Sequence, residues 1–97
     1  MAVKIYKYAV PGRMTGPVRR WLQPLMQDGK SQIWAELDDN LAESSWALIP
    51  VGTGWELEGE DAEFIRQGQY CGTVNDGIYI WHVYACRLDS GDLISWS

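Results

Sequence analysis

Apolar and polar residues alternate along most of this chain with the period of two that marks β-strands. The cleanest stretch is residues 32–37, where Ile33, Ala35 and Leu37 share one face and Gln32, Trp34 and Glu36 the other. That is the pattern of a half-buried strand. Residues 3–10, VKIYKYAV, predict a first strand whose lysines suit a sheet edge, ended by Pro11-Gly12. Residues 13–17 follow as a Gly/Pro-punctuated loop. Residues 21–27, WLQPLMQ, carry Pro24 in their middle, which fits an edge strand with a bulge better than a helix or a central strand. Asp28-Gly29-Lys30 then reads as a hairpin turn. A polar loop over 38–45 leads to a strand over 46–51, closed by Gly52-Thr53-Gly54.

The densest pattern is a hairpin over residues 69–88, QYCGTVNDGIYIWHVYACRL, turning at Asp76-Gly77. Both faces of its second arm are mostly apolar, so the arm is either covered on two sides or presents an adhesive face. Tyr79, Trp81 and Val83 are the candidate subunit interface if the second face is open. Residues 61–67 predict one short helix, with acids at its front, Arg66 near its end and Gly68 as its stop. A last strand is expected over 93–97. The fold class is therefore mainly β: a small antiparallel sheet, sandwich or partly open barrel of six to seven strands with at most one short helix. The 97 residues make a single domain, with a β core over 1–88 and a C-terminal extension over 89–97.

Composition sharpens the surface. Six Trp and five Tyr stand against one Phe, and Trp and Tyr suit half-buried and interface sites. Charge is divided along the chain. Residues 1–30 carry Lys4, Lys7, Arg13, Arg19, Arg20 and Lys30 against Asp28 alone, whereas Arg66 and Arg87 face every other acid, for a formal net charge of −5. Such a balance does not favour direct nucleic-acid binding, which needs clustered Lys and Arg. No apolar run is long enough to span a bilayer and the N-terminus lacks a signal-peptide pattern, so a cytoplasmic, membrane-free protein is expected. With Asp76-Gly77 as a two-residue turn, Cys71 lies opposite His82 and Cys86 sits roughly 13 Å further along. A disulfide needs Cα atoms within about 7 Å, so both thiols are expected to be free.

Taken in order, KIYKY, DGK-SQIWAELD, VGTG and YCGTVNDGIYIWHVYA resemble a family of small phage- and prophage-encoded proteins of unknown function. Its members share a Tyr-rich opening strand, an "LWALVD"-like strand, a "GTGH" turn and a closing "YIGT…VWHVF" hairpin. The specific matches are Trp34-Ala35 with Leu37-Asp38, Gly52-Thr53-Gly54, Gly72-Thr73 and Trp81-His82-Val83. Trp55 stands where the family has His, and the chain continues past the usual end. The resemblance implies an all-β fold and an infected or lysogenic bacterial host; it implies no activity.

Catalytic constellations are missing from the pattern. A Cys71–His82 pair would sit in apolar surroundings, where a thiolate is disfavoured, so His82 reads as a structural, hydrogen-bonded residue and the chain as a non-enzyme. Cys71, His82 and Cys86 lack the tight ligand pairs of a zinc site; no metal or cofactor is expected. Gly52-Thr53-Gly54 lacks the Lys of a phosphate loop and precedes acids, so it reads as a turn. What remains is surface. Trp55, Glu56, Glu58, Glu60, Asp61, Glu63 and Phe64 form the candidate partner-binding segment, an acidic run with aromatic anchors suited to a basic host protein complex. The functional expectation is a phage-encoded inhibitor of a host defence system, anti-CRISPR-like, acting by protein contact. The alternative is an oligomeric binder of a nucleotide signal, with Arg13, Arg19 and Arg20 as anion-binding residues; a cysteine/histidine enzyme is the third reading.

Overall fold

A computed structural model describes residues 2–88; the expected strand over 93–97 and the C-terminal extension lie outside the described residues. The chain runs β1 (Val3–Ala9), β2 (Gly12–Gly16), β3 (Val18–Gln27), β4 (Lys30–Asp38), β5 (Ser44–Gly52), α1 (Gly59–Arg66), β6 (Gln69–Asn75) and β7 (Ile80–Arg87). Two antiparallel sheets result, one ordered β1-β4-β3 and the other β2-β5-β7-β6, not closed into a barrel. The mainly β class, the strand number and the single helix are as the residue pattern predicts.

The alternation over 32–37 holds. Ile33 and Ala35 are fully buried and Leu37 nearly so, and they face Leu48, Val74, Val83 and Ala85 of the other sheet. Trp21 crosses this core edge-on to Tyr8 and Trp46, with ring centroids 6.1 and 5.6 Å apart. T-shaped pairs of this kind suit the ring quadrupoles. A second cluster lies on the far side of the four-stranded sheet, where Ile65, Leu57 and Phe64 pack against Ala47, Ile49 and Cys86. β7 is thus covered by a sheet on one face and by α1 on part of the other. That explains why both its faces are apolar.

Turn chemistry is confirmed at Asp28 and Gly29, which take φ of 53° and 77° between the paired residues Gln27 and Lys30. The helix begins two residues earlier than predicted and keeps Glu60 and Asp61 in its first turn and Arg66 in its last.

Three expectations need correction. Residues 13–17 are not simply a loop: Gly12–Gly16 is a strand paired with β5, because burying Met14 and Gly16 there outweighs the local turn composition. The 69–88 hairpin does not turn on two residues. Asp76–Tyr79 forms a longer loop, closed by the Asp76 N–H donating to the Tyr79 carbonyl at 3.1 Å. The register therefore moves, and Thr73, not Cys71, lies opposite His82. Cys71 occupies a bulge between Tyr70 and Gly72. Both thiols are free all the same.

Candidate functional site

At one end of the four-stranded sheet the β5–α1 turn and the β6–β7 loop come together. The Thr53 N–H donates to the Ile80 carbonyl at 3.1 Å, and the Trp55 N–H to the Gly52 carbonyl at 3.1 Å. Gly52 leaves room for the Trp55 ring: a Cβ there would stand 2.6 Å from Trp55 Nε1. The tight turn lays Trp55 against Trp81, with ring centroids 5.3 Å apart and planes at 89°, and Tyr79 touches the same Trp81 at 5.8 Å. Trp55 is 54% and Tyr79 61% exposed, and Ile78 beside them is exposed as well. A patch of aromatic surface thus crowns this end.

Its geometry is held from below. Asp76 Oδ2 accepts the Trp81 indole N–H at 2.8 Å, and Oδ1 accepts the N–H groups of Tyr79 and Ile78. The Tyr79 N–H, then the Trp81 indole and the Ile78 N–H, hold the Asp76 carboxyl below its ordinary range. Trp81 is therefore fixed at both its ring and its nitrogen, and it positions the two rings leaning on it.

The acids flank this patch. Glu56 and Glu58 are exposed between Trp55 and the helix and Glu60 is exposed in the helix's first turn, while Asp61 is half-buried. Glu63 is exposed but engaged on α1 itself, accepting from Arg66 and Gln67. Phe64 packs inward against the sheet with Ile65, so it is not an outward anchor. Of the candidate subunit-interface residues, Tyr79 is exposed and Trp81 half-buried, but Val83 is wholly inside the sandwich. Val83 therefore takes no part in an external surface.

The basic candidates separate. Arg13 is on β2 of the four-stranded sheet, whereas Arg19 and Arg20 are on β3 of the other. A register break between Val18 and Arg20 sets both consecutive arginines against one residue of β4, Glu36. Arg19 Nη1 meets Glu36 Oε1 at 3.0 Å, and Arg20 Nη2 meets Oε2 at 2.7 Å. The carboxylate is the one buried charge among the described residues, 7% exposed. The guanidinium groups expected to take an external anion already hold an internal one.

His82 lies beside the patch on the outer face of the sheet. The Thr53 hydroxyl donates to the Ile80 carbonyl at 3.3 Å and pairs with His82 Nε2 at 2.8 Å. Nδ1 pairs with the Thr73 hydroxyl at 3.2 Å, and that hydroxyl with the Tyr70 hydroxyl. Both ring nitrogens are thus engaged by hydroxyl groups, and no thiol lies opposite the histidine. Burial pushes Cys71 up to about 11, and burial followed by the neighbouring Cys71 pushes Cys86 up to about 12. Neither thiol has the lowered pKa of an activated nucleophile. No group of three or more metal-ligating side chains occurs among the described residues. No helix among them is long and apolar enough to cross a membrane.

The Trp55–Glu60 segment was legible in the sequence; its partner Trp81 and the Asp76 brace were not. The Asn75-Asp76-Gly77 run signalled a turn, and an Asp side chain bonding its own loop is the usual chemistry of such turns. Residues 1–91 match the family described as Domain of unknown function (DUF7352). No curated protein and no solved structure gave a match.

Proposed function

The chain belongs to the DUF7352 family, and we propose that it acts as a non-enzymatic binding protein that docks a basic partner at the Trp55 end of the four-stranded sheet. The observation that carries this reading is the exposed Trp55 ring, braced on Trp81 beside the exposed carboxylates of Glu56, Glu58 and Glu60. Rigid aromatic rings supply most of the binding energy at protein interfaces, because little conformational freedom is lost on contact. Acids around such a ring attract Lys and Arg of the partner and raise the association rate. An arginine stacked on the Trp55 face gains from the ring as well. The resemblance of its motifs to those of phage-encoded proteins supports a partner in a bacterial host, and a defence complex with a basic nucleic-acid groove fits the chemistry.

The test is affinity capture from host lysate with the wild type, Trp55→Ala and a Glu56/Glu58/Glu60→Lys triple variant. The expected result is a partner retained by the wild type alone, competed by nucleic acid and lost in 0.5 M salt. The same partners captured by all three proteins would remove the basis of the proposal.

A further inference from the structure

Among the described residues four strands form the edges of the two sheets, and three carry features that obstruct a further strand. β3 has two register breaks and contains Pro24, which has no N–H to give. β6 is bulged at Cys71 and lies so close to β3 that a Cβ on Gly72 would come within 2.6 Å of Pro24 Cδ. β2 is five residues long with Gly at both ends. Bulges, prolines and shortness are the devices that keep sheet edges from pairing. β1 has none of them. Its seven residues pair with β4 in unbroken register.

Three large apolar side chains on this edge are open. Val3 is 48%, Ile5 59% and Tyr6 51% exposed. Tyr6 is open although Ala35, its register partner on the same face, is fully buried, so the second sheet stops short of β1. Lysine commonly guards an edge; β1 carries two, of which Lys4 is exposed while Lys7 reaches across β4 to donate to Gln27 Oε1 of β3 at 2.8 Å.

We propose that β1 is a homodimer interface, in which two copies pair β1 antiparallel about a two-fold axis through Ile5 and form one six-stranded sheet. An axis perpendicular to the sheet keeps every side chain on its own face. On the outer face Ile5 then meets Ile5 of the other copy, and Val3 meets Lys7. On the inner face Lys4 lies over Tyr6, a cation on an aromatic ring. No lysine faces a lysine. Asp38 is the register partner of Val3 from the β4 side, so Lys7 of the second copy reaches its carboxylate across one strand. That is the span Lys7 already covers to reach Gln27. Only Asp38 Oδ1 is engaged locally, by the Asn40 N–H at 2.9 Å. The arrangement forms two such ion pairs by symmetry. A short strand contact is smaller than the roughly 1,600 Å² total of a standard stable interface, so the dimer forms at high concentration and dissociates on dilution.

Light scattering on the full chain tests this directly. The mass should rise from one chain to two as concentration approaches the millimolar range; a one-chain mass throughout overturns the proposal. Under mild oxidation Ile5→Cys should give a disulfide-linked dimer, while Val3→Cys should not, because the two copies of position 3 are separated along the strands. The reverse outcome overturns the register and with it the proposal. Lys7→Asp and Asp38→Lys should each weaken the dimer about tenfold, and the double exchange should recover it. A folded double variant that stays one chain in mass counts against the pairing. None of these residues belongs to the Trp55 patch, so the two readings stand or fall separately.

Discussion

The Trp81 indole N–H donates to Asp76 Oδ2 at 2.8 Å, a bond that ties the central ring of the aromatic patch to the hairpin loop. The same carboxylate also closes the loop through the Tyr79 and Ile78 N–H groups. Asp76→Asn replaces one acceptor oxygen by an amide NH2, which donates and cannot receive the bonds made to that oxygen. The depressed Asp76 pKa means that its contribution is fully present above the ordinary carboxylate range and fades as pH falls through the lower folded value. The wild type should therefore be more stable than Asp76→Asn at neutral pH, and urea titrations should show the two converging as the pH falls through the lowered Asp76 value.

Glu36 ties two successive residues of β3 to the middle of the three-stranded sheet. Its carboxylate is buried while both guanidinium groups remain largely solvated, so removing the acid loses its charged hydrogen bonds but leaves arginines that water still reaches. Glu36→Ala should lower stability by about 2 kcal/mol, within the range for hydrogen bonds to charged groups. Arg19→Ala alone should cost less, about 0.5 kcal/mol, because Arg20 still satisfies the acid. Chemical denaturation of the two variants checks the ordering.

Gly72 and Gly29 both have positive φ, at 152° and 77°, yet their surroundings differ. A Cβ at Gly72 would collide with Pro24, whereas nothing lies within 4 Å of one at Gly29. Gly72→Ala should cost about 3 kcal/mol through strain and separation of β3 from β6, and Gly29→Ala about 1 kcal/mol through backbone strain alone. Equal losses in thermal unfolding would show that the β3–β6 approach is not tight.

Trp21 and Trp55 separate packing from binding. Trp21 is 6% exposed at the centre of the core, and its replacement by Ala should cost about 4 kcal/mol. Trp55→Ala loses one exposed edge-to-face contact, worth about 1 kcal/mol, and should leave a cooperative fold. Circular dichroism melts of the two variants, read beside the capture experiment, distinguish a folding defect from a binding defect.

The strands were legible because a period of two survives wherever one face is buried. Ile33, Ala35 and Leu37 announced their burial through spacing alone. β2 was not legible, since Arg13, Met14 and Thr15 have no periodic signal between two glycines and become a strand only when β5 offers a partner. The Cys71–His82 pairing failed for a similar reason. It assumed a two-residue turn, and the side-chain bonds of Asp76 stabilise a longer one that slides the whole register. The alignment of Arg19 and Arg20 on Glu36 depends on a bulge, which leaves no trace in composition. Trp55 and the acids after it were legible as a segment. That Trp81 supports them is a fact of the tertiary fold.

The chain changes sheets three times, between β1 and β2, between β2 and β3, and between β4 and β5. Every early strand is thus laced to the opposite layer before its own layer is complete. β1 waits for β4, and β2 for β5, so each of these strands is left without its sheet neighbour until the chain has crossed between the layers. Contacts this distant in sequence slow folding relative to a simple meander. They also leave no half of the molecule able to come apart alone: loss of structure should spread from one sheet to the other in a single step, with β1, paired along one side only, as the place where it begins.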